Sequence, residues 1–369
     1  MKAFPISGWA LVRCTSLVLC GVLVGLVYAS GAWGVLVYRR ALEGKVSQPR
    51  EIIVAGDDGS RPYVIGRGTA PVVSPDGHHV AFFAGLKSDR GLWVVRIDGS
   101  HGRRYVRHSD RRTIASTLYD PFRWSPDSRY ILGNVGRSCD DAQTPGAARR
   151  CGAVMLIRLG RGVLARYRAV DVVDGVAFAP DARRFVLGSI GGGVSSQGAN
   201  YEGFLYSGST SRPKVLRHGG IPGEQPAWGK PGLAFLRLDT KSGLGDYTQL
   251  DLVAAPGASP RPSPRPLFTR EMPNGNRLDV IVGWTAGSGD LLVGLKSVVD
   301  SFQAVQPVLI DPRTGAMQYF PQQLMSISAI SRDGSTVLGE SLQGEVVAVR
   351  ADGNVKVLAS HADSATWTS

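Results

Sequence analysis

Cysteine is the residue type of this chain most able to form a cross-link or hold a metal. Outside the N-terminal apolar run the only cysteines are Cys139 and Cys151, which bound a polar insertion. If the flanking segments pair as a hairpin, the two sulfurs face each other, and a disulfide closing such a loop would add roughly 3 kcal/mol to stability. The alternatives are two free thiols or two metal ligands, although two cysteines without a nearby histidine make a poor zinc site. We predict the disulfide, and with it an oxidising compartment.

Other residues that could do chemistry lack the spacing that known chemistry needs. The six histidines fall mostly in turns or at strand ends, without a second strong metal ligand at a suitable spacing. Ser341 fails as a hydrolase nucleophile, because glutamine follows where the Gly-x-Ser-x-Gly elbow requires its last glycine. The glycine run at residues 191–193 lacks the lysine and helix of a phosphate loop, so we expect a flexible connection there. We therefore assign no catalytic, cofactor-binding or metal-binding residue, and we expect no cofactor.

Four aspartates recur in similar turns: Asp76, Asp127, Asp181 and Asp333. Their recurrence is compatible with calcium binding or acid–base chemistry. However, an aspartate in such a turn commonly accepts a hydrogen bond from its own backbone two residues further on. We therefore predict that these four side chains are structural.

The turns belong to an internal repeat. A large residue ends a short strand before each turn, and the turn itself is rich in Ser, Pro, Asp and Gly, as in Trp124-Ser125-Pro126-Asp127. The large residues lie roughly 37 to 56 residues apart, a spacing typical of propeller blades with variable loops. One four-stranded sheet cannot bury its own faces, so we expect these residues to pack between neighbouring sheets. They are Val73, Trp124, Phe178, Trp228, Trp284, Ile330 and Trp367.

Each repeat predicts four short strands, the last two joined by an Asp-Gly hairpin. The two ends of the repeat region are incomplete in complementary ways. Residues 51–54 and 62–65 match the last two strands of a repeat, whereas residues 365–368 match a first strand. A composite sheet made from both ends would close a ring and remove exposed sheet edges. We predict an all-β propeller of four-stranded antiparallel blades, with seven blades, or six if the terminal strand merely caps.

The Ser-Pro-Asp-Gly turn and its preceding tryptophan resemble the repeat of TolB and of the propeller domains of prolyl oligopeptidases, within the wider class of tryptophan–aspartate-type propellers. The resemblance covers the chain from about residue 50 onwards and implies the fold. TolB carries an α/β domain before its propeller, where this chain has an apolar segment, so the resemblance does not imply the partners of TolB. No hydrolase domain is expected after the propeller, so oligopeptidase activity is not expected either.

The N-terminal segment predicts a membrane anchor. No charged residue occurs in residues 14–38, and about 25 residues at a rise of 1.5 Å cross a hydrocarbon core of roughly 30 Å. A signal peptide cleaved near Ala32 is the alternative, but the apolar run continues to Tyr38. We predict a tail at 1–13, one transmembrane helix at 14–38, a linker at 39–49 and the propeller at 50–369. The arginines after the run argue against an external propeller, whereas the cysteine pair argues for one.

The net charge of +12 could attract anionic lipid, cell-wall polymer or nucleic acid, or could be an ordinary solvated surface. Aromatic residues do not alternate with the arginines as a base-stacking platform requires, so nucleic acid is not expected. We predict a non-catalytic scaffold outside the cytoplasm that binds a protein or an anionic envelope polymer. Insertions at 140–150, 191–201 and 256–266 are the expected contacts. The alternative is a lyase or hydrolase whose site lies in the central channel.

Overall fold

The structure is a computed structural model, and it describes residues 34–40, 50–84, 91–107, 122–134, 154–167, 172–195, 198–238, 247–253, 264–269, 277–296 and 304–368. All 27 elements named within these residues are β-strands, paired throughout as antiparallel neighbours. No helix within the described ranges is long and apolar enough to cross a membrane.

The strands of blades 1 to 3 are β3 (Tyr63–Val73), β4 (His79–Ala84), β5 (Gly91–Arg96), β6 (Arg103–Arg107); β7 (Phe122–Trp124), β8 (Tyr130–Asn134), β9 (Val154–Arg158), β10 (Gly162–Tyr167); β11 (Val172–Phe178), β12 (Arg184–Ser195), β13 (Gly198–Ser209) and β14 (Leu216–Pro222). Those of blades 4 to 6 are β15 (Glu224–Trp228), β16 (Leu233–Leu238), β17 (Tyr247–Val253), β18 (Arg265–Thr269); β19 (Arg277–Trp284), β20 (Leu291–Lys296), β21 (Val305–Ile310), β22 (Met317–Tyr319); β23 (Ser326–Ile330), β24 (Thr336–Glu340), β25 (Val346–Arg350) and β26 (Val355–Ala359).

The seventh blade joins the two ends of the repeat region. Its strands are β27 (Ala362–Thr368), β1 (Val35–Arg40), β2 (Arg50–Gly56) and the first half of β3. Strand β1 pairs with β27 on one side and with β2 on the other, so that Val35 faces both Thr368 and Gly56. Strand β3 pairs with β2 up to Gly68 and with β4 from Thr69, and therefore passes from blade 7 into blade 1.

The first strands of the blades contact one another in cyclic order, from the second half of β3 through β7, β11, β15, β19, β23 and β27 back to β3. Seven apolar clusters accompany this ring, one between each pair of neighbouring blades. The described strands therefore form a closed β-propeller whose core lies between the sheets, because each sheet buries its two faces only against its neighbours.

Strand β1 corrects the predicted boundaries of the N-terminal segment. Residues 35–38 were expected to end the membrane anchor, and Arg39 and Arg40 to begin a linker, but all six residues belong to the propeller. Leu36 and Tyr38 pack towards blade 6, whereas Val37 packs towards blade 1. A strand that is buried on both faces has a continuous run of apolar residues. In sequence, such a run is similar to the end of a membrane-spanning segment. The rest of the predicted anchor lies outside the described residues.

A second correction concerns the glycine run in blade 3. Residues 191–193 were expected to form a flexible connection, but residues 191–195 extend β12 and pair with residues 198–202 of β13. Backbone hydrogen bonds in a ladder do not depend on side chains, so a run of glycines can continue a hairpin that longer-range packing has already aligned.

Candidate functional site

One face of the ring carries the turns between the first and second strands of blades 1 to 6 and, among the described residues, the turns between the third and fourth strands of blades 1 to 3 and 5 to 7; we call it the turn face. In blades 1, 2, 3 and 6 the first of these turns contains the repeated aspartate. Asp76 accepts hydrogen bonds from the Ser74 hydroxyl at 2.5 Å and from the His78 N–H at 3.0 Å. Asp127 and Asp181 accept the N–H groups of the residues two positions on, at 3.2 and 2.9 Å.

Asp333 makes the fullest set of these bonds. It accepts hydrogen bonds from the Ser331 hydroxyl at 2.5 Å and from the Ser335 N–H at 3.0 Å. The Ser331 hydroxyl and then the Ser335 N–H lower the pKa of Asp333 to about 2. These carboxylates are thus occupied within their own turns.

The first turns of blades 4 and 5 lack the aspartate. Pro231 stands at its place in blade 4, and Gly287 in blade 5. The serine at the start of the motif is also replaced, by Gly229, because a Cβ there would lie 2.5 Å from the indole of Trp284. Two consecutive turns are therefore without a carboxylate at the motif position.

A cavity of about 840 Å³ opens on the turn face at these two blades. Its wall is formed by the first turns of blades 2 to 6, by the facing ends of β17 and β18 in blade 4, and by the turn between the third and fourth strands of blade 5. Rings supply much of the apolar wall, and they come from Trp228, Trp284, Pro126, Pro180, Pro231 and Pro312. The first turns lie next to the first strands, so the cavity adjoins the mouth of the central channel.

The charged groups that line the cavity are all cationic. They are Lys230, Arg265, Arg313 and Arg332, and no carboxylate occurs among the described residues of the wall. Asp311 and Asp333 lie next to lining residues in sequence, and hydrogen bonds within their own turns lower the pKa of both carboxyl groups; Asp311 accepts the Arg313 N–H at 2.8 Å and the Thr314 hydroxyl at 2.7 Å. The described lining itself carries four positive charges and no negative one, which suits an anionic group.

Hydrogen bonds between blades hold the wall together. The indole N–H of Trp284 donates to the Ala227 carbonyl at 3.1 Å, and the Arg265 guanidinium donates to the Pro312 carbonyl, so both bonds join blade 4 to blade 5. The Gly287 N–H donates to the Arg332 carbonyl at 2.9 Å and joins blade 5 to blade 6. These bonds fix blades 4, 5 and 6 relative to one another around the cavity.

The seven large residues that precede the turns all contact an inter-blade cluster. The clusters contain Val73, Trp124 and Phe178 as buried members, and Trp228, Trp284, Ile330 and Trp367 as half-buried neighbours. Trp124 repeats the bond of Trp284, since its indole N–H donates to the Val72 carbonyl of blade 1 at 3.0 Å. The indole bond is therefore a second link between blades, beside apolar contact.

A half-buried charge cluster lies at the opposite face, where the ring closes. Arg39 binds Asp363 through two hydrogen bonds, and Arg50 forms an ion pair with the same carboxylate. Burial raises the pKa of the nearby Glu340, and the positive charges of Arg39 and Arg50 oppose that rise. This cluster joins β1, β2, β24 and β27. In the described part of the chain, no three His, Cys, Asp or Glu side chains are grouped so that they could hold a metal ion.

Several predicted features cannot be placed. Cys139, Cys151 and the insertion between them lie outside the described residues, as do residues 256–263 of the predicted insertion at 256–266. The cavity itself was not predicted. Its signal in the sequence was the loss of the aspartate from two neighbouring turns, together with a lysine in the first of them.

No model of a known protein family matches the chain, and a search of curated proteins finds no match. Solved structures do match. TolB from Acinetobacter baumannii is similar over 100% of this chain and 75% of its own, with 12% identity and a TM-score of 0.52.

Two Pyrococcus proteins match with higher TM-scores. The β-propeller domain of the Trilobed protease from Pyrococcus furiosus gives 0.61 at 12% identity, over 90% of this chain and 94% of its own. The acylaminoacyl peptidase of Pyrococcus horikoshii gives 0.60 at 12% identity, over 89% of this chain, which spans 51% of that peptidase. Sequence identities this low support a shared fold and nothing further. The chain thus has a TolB-like β-propeller fold.

Proposed function

We propose that this protein is a non-catalytic, seven-bladed binding propeller that recognises an anionic protein or envelope polymer at its turn face. The observation that carries the proposal is the cavity whose charged lining consists of Lys230, Arg265, Arg313 and Arg332. Four cations around one opening attract a polyanion and hold it by ion pairs whose strength falls with added salt.

We further propose that the propeller acts outside the cytoplasm, with the Cys139–Cys151 disulfide formed, and that residues preceding β1 either anchor it or are removed as a signal peptide. Val35 to Tyr38 belong to the ring, so their apolar character does not favour an anchor over a signal. Residues 14–34 alone still have about the 20 residues that a span requires. Cleavage near Ala32 would leave β1 intact, so both forms are compatible with a closed ring.

An enzyme with its site in the central channel is the alternative function, and one group favours it. Asp279 lies on β19, the first strand of blade 5, and burial raises the pKa of its carboxyl group while Lys296 opposes the rise. A raised pKa is what a general acid needs. Under the alternative, Asp279→Asn abolishes turnover of the substrate; under our proposal, the same variant leaves ligand binding unchanged.

The test compares two charge-matched variants of the full chain. Lys230→Gln with Arg332→Gln removes two cations from the cavity, whereas Lys214→Gln with Arg212→Gln removes two exposed cations from an outer turn of blade 3 on the same face. Binding of polyglutamate and of polyphosphate is measured by fluorescence anisotropy at several salt concentrations.

We expect the cavity variant to weaken binding about tenfold, the factor for two partly exposed ion pairs, and the control variant to weaken it less than about twofold. Equal losses in the two variants would mean that the whole basic surface, rather than the cavity, attracts the polyanion. Binding that neither variant alters would refute the proposal.

A further inference from the structure

The cavity is more than a cluster of positive charge. Its floor and walls contain the indole rings of Trp228 and Trp284 and the pyrrolidine rings of Pro231 and Pro312, while Lys230 and Arg332 lie on exposed turns. Sites for small molecules commonly measure about 300–1,000 Å³ and combine an apolar wall with a few polar groups. A cavity of about 840 Å³ falls within that range.

Hydrogen bonds between blades also hold the wall together. Bonds from Trp284 to Ala227 and from Gly287 to Arg332 tie three consecutive blades together, at 3.1 and 2.9 Å. Proline rings have one fixed backbone torsion, and the Trp284 indole packs directly on Gly229. A ligand that enters such a site does not have to order its wall first, and this reduces the entropic cost of binding.

We propose that the cavity binds a small organic anion, in which a carboxylate or phosphate is joined to an apolar ring or chain. A wholly hydrophilic anion would leave the tryptophan and proline surfaces in contact with water, and would forgo the gain from burying them. A neutral apolar molecule would bury those surfaces but would form no ion pair with the exposed cations at the rim. A ligand with both parts satisfies both halves of the wall, whereas a polyanion held by its charges uses the cationic half alone.

This inference rests on one part of the proposed function, that this cavity is the binding site, and not on the ligand being a polymer. The probes are 2-naphthoate, its neutral counterpart 2-naphthamide, and inorganic phosphate. Each is titrated into the full chain by calorimetry, and the titrations are repeated with the cavity variant (Lys230→Gln, Arg332→Gln) and with the control variant (Lys214→Gln, Arg212→Gln).

We expect 2-naphthoate to bind about tenfold tighter than 2-naphthamide and tighter than phosphate, and the cavity variant to lose about that factor for 2-naphthoate alone. The control variant should match the wild type. Equal binding of naphthoate and naphthamide would overturn the inference, as would phosphate binding as tightly as naphthoate. If polyglutamate binding depends on Lys230 and Arg332 while naphthoate does not bind, the inference fails and the proposed function stands. If naphthoate binds in a cavity-dependent manner and the polyanions do not bind, the proposed function fails instead.

Discussion

At the scale of single residues, one position in each aspartate-containing turn adopts the left-handed conformation. Gly77 and Gly334 occupy it in blades 1 and 6, with φ of 72° and 78°. Ser128 and Ala182 occupy it in blades 2 and 3, with φ of 58° and 56°. A side chain at such a φ costs about 1–2 kcal/mol. Ser128 offsets part of this cost, because its hydroxyl accepts the Asp76 N–H at 3.0 Å.

Ala182 has no such hydrogen bond to offset its strain, so Ala182→Gly should stabilise the protein. Relief of the strain exceeds the extra chain entropy of glycine, and we expect the free energy of unfolding to rise by about 0.5 kcal/mol in urea titrations. Ala177→Gly, in the neighbouring strand β11, is the matched control and should lower the same quantity by about 1 kcal/mol. A loss of stability in Ala182→Gly would show that its buried methyl group matters more than the strain.

The second residue-scale prediction concerns pH. The pKa of Asp333 is lowered to about 2, mainly by the Ser331 hydroxyl. A carboxyl group with a lowered pKa stabilises the folded state above its unfolded pKa of about 3.9, and the contribution disappears as the pH falls towards 2. Asp333→Asn should therefore lower the free energy of unfolding at pH 6 by less than about 1 kcal/mol, since the group is exposed to solvent. The difference from wild type should shrink between pH 4 and pH 2; a constant difference would contradict this account.

The hydrogen bonds of these turns can be predicted from the sequence, whereas the cavity cannot. The partners of Asp333 lie within two residues, so their bonds follow from local turn chemistry. The cavity instead combines turns from five blades, whose mutual distances depend on the closed ring. The only feature of the cavity visible in the sequence is the replacement of the repeated aspartate by Pro231 in blade 4 and by Gly287 in blade 5.

At the scale of elements, β1 shows where apolar patterning is ambiguous. Leu36 and Val37 are fully buried and Tyr38 is nearly so. Because successive side chains enter different inter-blade clusters, the strand shows no alternation of apolar and polar residues. A short apolar run of this kind is indistinguishable by periodicity from part of a helix. The complementary strands 51–54 and 365–368 were recognisable because Asp-Gly turns and repeat spacing marked them.

The role of β1 can be tested by truncation. A chain beginning at Gly34 keeps all of β1 and should therefore unfold cooperatively. A chain beginning at Ala41 loses three buried side chains, each worth about 1.5–3 kcal/mol, which together approach the total stability of an ordinary domain. We expect this shorter chain to be unfolded or to melt at least 10 °C lower by circular dichroism, a shift consistent with a loss of several kcal/mol. Equal melting temperatures of the two chains would show that β1 is not part of the folded ring.

At the scale of the whole molecule, the ring is closed by segments more than 300 residues apart in sequence, as the Arg39–Asp363 pair illustrates with a separation of 324. Blade 7 has no covalent turn between its first and second strands, since β27 and β1 come from opposite ends. Hydrogen bonds, apolar packing and the charge cluster must replace that turn. The complementary ends predicted such a closure. The ion pairs could not be predicted, because they depend on the register of β1, and residues 35–40 were predicted to belong to the membrane anchor and the linker.

The last prediction compares two arginines in ion pairs of different burial. The side chains of Arg39 and Asp363 are each 15% exposed, whereas those of Arg350 and Asp352 are 59% and 51% exposed. Arg39→Ala leaves a poorly solvated carboxylate with Arg50 as its remaining partner, and should lower the free energy of unfolding by about 2–3 kcal/mol. Arg350→Ala should lower it by less than about 1 kcal/mol, because surface pairs are screened. If the pair closes the ring, Arg39→Ala should also speed amide hydrogen exchange in β1 and β27 more than in blades 2 to 4. Uniform acceleration in all blades would mean that the pair stabilises the whole molecule without serving as its closure.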